Sequence, residues 1–406
     1  MKAFKSYDVC IIGAGIVGLT TACLLLSRGF SVAIVEASPL EKKSALGALD
    51  SRVSAINAVS WELLQEIITT EELSSDHYCA LERIVAWDSH GGAEISFDAG
   101  EVNRSHLGVI IENQILVHAL LSRVKTFSQA RLFLGERPKQ LIIDSDGARV
   151  VLESGEVDCQ CVIGADGVFS WTRQMVQAKI LDRPYKHHAI IGVVESEVDH
   201  QHTAYQNFLP TGPIGLLPLH HKRHHGFVWS LKSDLVSDML NRSEADLSNE
   251  VSQALDWRLG DLKLKTPLKS IPLAMRHAEQ YAFFRVALVG DAAHSMHPLA
   301  GQGVNLGLMD AVCLANTMIE AANRNCDIGL LSVLRRYERR RKLDNQVMMG
   351  IMRMFLEVFS NENPTWSLVR QYGLSVSQNT PWMKRLFIRY AMGYRGEASL
   401  QTLSAI

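Results

Sequence analysis

Much that would classify a chain quickly is missing from these 406 residues. No uninterrupted apolar run reaches the roughly 18–20 residues that a bilayer crossing needs, so a membrane-spanning protein is not expected. A formal net charge of −2 is too small and of the wrong sign for a polyanion binder, which sets nucleic acid aside as a partner. The seven cysteines lie in apolar or strand-like surroundings without metal-ligand spacing, so no disulfide framework or metal centre is expected. The start, Met1 to Asp8, lacks the apolar core of a secretory signal and runs straight into a strand pattern. A cytoplasmic location and a reducing compartment follow as expectations. There is no internal repeat and no low-complexity segment. What remains is an ordinary globular composition, 47% hydrophobic and 21% charged, with length for two or three domains.

The N-terminal stretch is the first informative one. Tyr7–Ile12 reads as a buried strand, Gly13-Ala14-Gly15-Ile16-Val17-Gly18 follows, and an apolar helix runs to about Arg28 before Gly29. Strand, G-x-G-x-x-G and helix in this order make a dinucleotide fingerprint. Gly13 serves the tight turn, Gly15 clears space for a pyrophosphate, and Gly18 allows close helix–strand packing. A second strand, Ser31–Val35, delivers Glu36 and then Ala37 at the distance where an acid takes a ribose diol. Near the other end, Val286–Val289 is again a buried strand, running into Gly290-Asp291. Asp291 should therefore face a ligand hydroxyl at a strand's carboxyl end. Pro298 fixes a turn, Gly301-Gln302-Gly303 lets backbone approach something closely, and an apolar helix starts near Val304-Asn305.

Between these ends the pattern alternates. Arg52 follows Asp50-Ser51 and reads either as a guanidinium reaching a cofactor or as a surface cation; a helix is expected through Ile68. Arg83–Trp87 and Ala93–Phe97 form a predicted hairpin, and a helical period is read from Ile110 through Asn113 to Leu121. Further strands lead to Cys159–Ile163 and to Gly164-Ala165-Asp166-Gly167, which again sets a carboxylate at a strand's end. From His187 to Tyr281 the signal is mostly strand, with one helix near Ser243–Leu259, and this is read as a second domain. The run His220–His225 is read as a solvated turn rather than a metal site. The basic run Leu331–Lys342 reads as a solvated helix face. The tail from Asn345 looks helical, and Trp382–Met392 mixes cations with large apolar groups. Core or subunit packing, and with it a homo-oligomer, is the first reading of the tail; contact with a membrane surface is the second.

Three motifs in fixed order, Gly13-x-Gly15-x-x-Gly18 with Glu36, Gly164–Gly167, and Gly290–Gly307, resemble those of the single-component FAD-dependent aromatic hydroxylases with the p-hydroxybenzoate hydroxylase fold. Ser51–Asn57, Leu107–Asn113, His187–Ala189 and Leu334–Arg339 narrow the likeness to the ubiquinone-biosynthesis hydroxylases, and within these to the 2-polyprenylphenol C5-hydroxylases. The resemblance implies an α/β fold: a Rossmann-like, glutathione-reductase-type FAD domain in three pieces (1–75, 104–180, 280–345), a β-rich substrate domain (76–103, 181–279) and a helical C-terminal region (346–406). It implies FAD, held by Gly13, Ala14, Gly15, Ile16, Gly18, Glu36, Ala37, Arg52, Asn113, Asp166, Asp291, Pro298, Gly301, Gln302, Gly303, Val304 and Asn305. Among these, Asp166 is implied in NAD(P)H handling as well.

The implied reaction asks little acid–base work of the protein. NAD(P)H reduces the flavin, O2 adds at C4a, and the hydroperoxide oxidises a polyprenylated phenol, with the protein supplying orientation and dryness. A phenol-activating group is not fixed by the motifs; His188, Tyr205 and His297 are the candidates. Other ubiquinone-biosynthesis proteins and the inner-membrane surface are implied as neighbours. Two alternatives stay open: a hydroxylase of the same family acting at another ring position or on another phenol, and a non-catalytic flavoprotein that binds quinone precursors in a biosynthetic complex. Against a flavin oxidase or dehydrogenase acting on an amine or amino acid, the Gly164–Gly167 segment speaks for hydroxylases.

Overall fold

The computed structural model describes residues 6–40, 49–89, 94–296, 302–360 and 380–394. His297, Pro298 and Gly301 lie outside the described residues.

An eight-stranded sheet is built on the first motif. Its main path runs Ala282–Phe283, Val286–Leu288, Glu156–Gly164, Tyr7–Ile12, Val32–Glu36, Ala130–Leu134, and the central pairings are parallel. Val9, Cys10, Ile11, Val32, Ala33 and Ile34 are fully buried, as befits strands covered on both faces. The helix Ile16–Leu26 is apolar nearly all round because it is enclosed by the helices Asn113–Lys125 and Gln302–Ala322. All seven cysteines are free, and Cys10, Cys23, Cys79, Cys159 and Cys161 are buried.

A nine-stranded, mostly antiparallel sheet forms the second layer, with the path His294–Ser295, Lys269–Ala278, Ile180–Glu195, His224–Lys232, Ile214–Pro218, Thr203–Phe208, Arg83–Asp88, Glu94–Asp98. One face packs under the helices Val236–Leu240 and Glu244–Ala254, through Trp229, Ile214, Leu247 and Val251. The other presents Val193, Ala204 and Leu219 to Ala58, Leu81 and Leu107. A three-stranded sheet, Val53–Asn57, Gly108–Glu112, Tyr78–Leu81, sits between the two layers.

Three local expectations are corrected. Ile110–Glu112 is strand, not the start of a helix: a short, fully buried apolar run carries no period of its own, and the helix begins at Asn113. His225 is not part of a solvated turn but a buried strand residue beneath His200. Arg341 leaves the exposed face of the basic helix Leu331–Ser360 and is buried against Asp310.

Candidate active site

Four parallel strands end together at one rim. Gly13 N–H donates to the Val35 carbonyl at 2.8 Å, Ala165 N–H to Ile12 at 2.8 Å, and Val289 N–H to Gly164 at 2.9 Å. The turns that follow therefore lie side by side, at the carboxyl edge where sheets of this type take ligands. Gly13 has φ 104°, and a Cβ there would collide with the Ala165 carbonyl; one at Gly18 would collide with the Gly13 carbonyl oxygen. Those two glycines are required by packing. Gly15 is different: it is exposed, a Cβ on it would meet nothing within 4 Å, and it caps the helix with no side-chain hydrogen bond. The helix thus offers backbone donors to open space, an arrangement that fits a pyrophosphate. Ala14 and Ile16 on either side are buried, and Gly303, at the start of the helix Gln302–Ala322, has an equally open Cβ position.

The three carboxylates of the motifs have unequal freedom. Glu36 accepts the Ala14 N–H at 2.9 Å and the Ser38 N–H at 2.8 Å, which fixes it beside the exposed Ala37 at the glycine loop. Asp166 points inward, taking the Ser170 hydroxyl at 2.5 Å and the Thr172 N–H and hydroxyl at 2.8 and 3.0 Å. Asp291 reaches solvent from the turn Gly290–Ala292, while the protein packed around it pushes its carboxyl above the usual range. Of the three, Asp291 is the exposed one, and Glu36 keeps lone pairs beyond its two backbone bonds.

Arg52 and Asn113 are brought together: Asn113 N–H donates to the Arg52 carbonyl at 3.0 Å, Asn113 Oδ1 accepts from Ser54 at 2.6 Å, and the Arg52 side chain is exposed. Asn305 is buried and spent on the three-stranded sheet, accepting from Asn57 N–H at 3.0 Å and donating to the Ala55 carbonyl at 2.9 Å. It thereby seats the helix start, where Val304 is half-buried, against the strand Val53–Asn57.

His188 and Tyr205 do not join this rim. Tyr205 packs against the core under the helix Glu244–Ala254, and burial pushes its phenol up. His188, two residues before Ile190 of that same core and so on its side of the strand, bonds Ser270 Oγ at 2.8 Å. Both face the helix-covered side of the sheet, because neighbouring positions such as Ala204 and Val193 take the inner face.

Sequence reasoning passed over Arg173 and Asp310. Buried Arg173 donates to the Ala292 carbonyl at 2.9 Å and to Val168 at 2.7 Å, joining the Asp166 turn to the Asp291 turn. Asp310 receives four donors behind Gly290. A lone acid in the apolar run Leu306–Val312 is the signal that could have marked it.

Residues 6–350 match the family described as FAD binding domain. The chain belongs to that family. Its relatives include the ubiquinone hydroxylase UbiL of Rhodospirillum rubrum, 34% identical over 97% of this chain and 91% of that protein, and the 3-demethoxyubiquinol 3-hydroxylase of Escherichia coli, 33% identical over 95% and 98%. Among solved structures, the p-nitrophenol 4-monooxygenase PnpA of Pseudomonas putida has a TM-score of 0.80 at 15% identity, covering 97% of this chain and all of that one. PqsL of Pseudomonas aeruginosa, a probable FAD-dependent monooxygenase, has 0.76 at 19%, covering 91% and all of that chain. This FAD-dependent monooxygenase thus has the aromatic-hydroxylase fold expected from its motifs, with a mixed α/β flavin-binding part, a sheet-rich second layer and C-terminal helices. No helix among the described residues is long and apolar enough to cross a membrane.

Proposed function

We propose that this monooxygenase hydroxylates C5 of a polyprenylated phenol on the path to ubiquinone, with O2 and NAD(P)H as co-substrates. The observation that carries the reading is the join between the flavin rim and the second sheet. Directly after the Asp291 turn, the strand His294–Ser295 pairs with Lys269–Ala278, so the turn is continuous with the sheet whose inner face is apolar. Relatives named as ubiquinone hydroxylases and as a ubiquinone biosynthesis monooxygenase support the substrate class. Bound FAD supplies the redox chemistry: electrons from NAD(P)H and activation of O2, with one oxygen entering the ring and the other leaving as water.

The chain's own residues bind, orient and exclude water. Gly13, Gly15 and Gly18 shape the pyrophosphate cradle, Glu36 uses its remaining lone pairs on the adenosine ribose, and Asp291 holds the ribityl chain. Arg52 and Asn113 border the cofactor's middle, and the backbone of Gly303–Asn305 faces the ring. Asp166 acts as a brace for its turn. The nine-stranded sheet is the substrate-side layer, and its apolar seam with Ala58, Leu81 and Leu107 keeps water from the ring. A membrane surface is the proposed source of the prenylated substrate: the helix Pro381–Ala391 exposes Trp382, Leu386 and Phe387 alongside Arg385 and Arg389.

Quinone intermediates measured by mass spectrometry in cells lacking the protein test this. Accumulation of the polyprenylphenol preceding the first ring hydroxylation, cleared by wild type and not by Asp291→Ala, is expected. A later intermediate moves the ring position; phenol that binds without stimulating NAD(P)H oxidation makes the protein a carrier.

A further inference from the structure

Asp310 sits two turns into the helix Gln302–Ala322 with no solvent exposure. Its Oδ2 accepts the Gly290 N–H at 3.2 Å and His294 Nε2 at 2.5 Å; its Oδ1 accepts Arg341 Nε at 2.8 Å and Asn345 Nδ2 at 3.2 Å. Arg341 reaches on to the Leu306 carbonyl at 3.4 Å and to Asn345 Oδ1 at 2.9 Å. One carboxylate therefore gathers the turn bearing Asp291, the strand that leaves it, the helix with the open Gly303 start, and the long helix Leu331–Ser360. The backbones are as tightly joined as the side chains. Gly290 has φ 58°, and a Cβ on Gly307 would crowd both Val17 and the Gly290 Cα. Burial alone would raise the Asp310 carboxyl, but His294 and Arg341 outweigh it and bring it down to about 2, so the knot is ionic at neutral pH.

We infer that Asp310 is a positioning residue for FAD: without touching the cofactor, it fixes the Gly290–Ala292 turn against the helix start so that Asp291 and Gly303 meet one flavin at the same time. The Gly290 N–H is the direct link, because that amide belongs to the residue before Asp291. His294 holds the other end of the same turn, and Arg341 holds the helix through the Leu306 carbonyl. A buried acid serving stability alone would need charge partners, but not a bond to the backbone of this one turn. The inference rests on FAD binding and not on the identity of the phenol, so failure of the polyprenylphenol reading leaves it standing.

The test is FAD affinity, FAD dissociation rate and the visible circular dichroism of bound flavin in Asp310→Asn, in His294→Ala and in His294→Gln, whose amide can still donate to Oδ2. Leu247→Ala, in the core beneath the second sheet, serves as a control of matched stability loss. Asp310→Asn and His294→Ala should weaken FAD binding on the order of 10- to 100-fold, the loss expected of a charge-assisted bond, and change the flavin dichroism at saturation. His294→Gln should recover most of both. If Asp310→Asn does not fold, the His294 pair decides alone. FAD affinity and dichroism in His294→Ala no different from Leu247→Ala would reduce the knot to a structural ion pair and overturn the inference.

Discussion

The two large sheets use buried polar groups in opposite ways. In the parallel sheet the buried centre of the strands, Val9–Ile12, Val32–Val35 and Cys161–Ile163, is apolar, and the polar groups of the three motifs are collected at one rim, in backbone amides, Glu36, Asp166 and Asp291. In the nine-stranded sheet polar side chains are sunk within the layer: His225 bonds Ser196 at 3.1 Å, His200 bonds the Leu219 carbonyl at 2.9 Å, Asn207 bonds the Ala254 carbonyl at 2.8 Å, and Trp87 bonds Asp256 at 2.7 Å. Injury at the rim should therefore be felt as lost cofactor, and injury inside the second sheet as lost stability.

The sharpest way to break that comparison is within the rim. Gly18→Ala drives a methyl into the Gly13 carbonyl, so flavin content and folding should fall together. Gly15→Ala has room in the protein itself, and should leave the thermal midpoint of the apoprotein nearly unchanged while FAD affinity drops at least tenfold. Flavin-to-protein absorbance ratio and calorimetry on both variants check this; equal FAD affinity in Gly15→Ala and wild type would remove the cradle from that position. Next in size, Asp291→Ala should purify with little flavin but an intact fold, because its side chain faces solvent. Full flavin occupancy in that variant would contradict the ribityl contact.

The second sheet should answer to pH. Burial, aided by His200 and His224, lowers His225 to about 3, and burial also lowers His200. An unfolded histidine takes its proton near 6.5, so between about 6.5 and 3 the unfolded chain binds more protons than the folded one. The stability these histidines leave in place above pH 6.5 is therefore lost progressively as pH falls toward 3. Asp310 has the opposite cause and a separate window: its depressed carboxyl contributes stability above about 3.8 that goes as pH falls through about 2. Chemical denaturation from pH 7 to 4 should show a falling stability in wild type and a flatter profile in His225→Gln; identical slopes would mean that His225 does not drive the acid loss.

The same contrast explains what could be read beforehand. Backbone-made features have local signatures: Gly13, Gly15 and Gly18 between a strand and a helix, or a strand ending in Gly290-Asp291, declare their geometry within a few residues. The antiparallel pair Arg83–Asp88 and Glu94–Asp98 and the helix from Gln302 are legible for the same reason. Long-range polar pairs have none. Nothing near Arg341 in sequence says that its partner is Asp310, thirty-one positions earlier, and a run rich in arginine hides the one that turns inward. The strand signal that begins at His187 covers only the second half of the strand Ile180–Glu195, since its exposed first half owes its conformation to pairing with Lys269–Ala278.

Facing was the least legible property of all, and it yields the smallest expected effect. A histidine and a tyrosine in the proposed substrate layer invite an acid–base role, but a strand alternates its sides, and one residue of register decides between the inner face and the far helices. Tyr205 and His188 fall on the side of Leu247 and Val251. Tyr205→Phe and His188→Gln should therefore change phenol-stimulated NAD(P)H oxidation less than about twofold, far below the roughly 10²–10⁴-fold expected of a general acid or base. A hundredfold fall in kcat for either, with FAD affinity and thermal midpoint held, would mean that this sheet turns its other face to the substrate, and would undo the division between rim and layer.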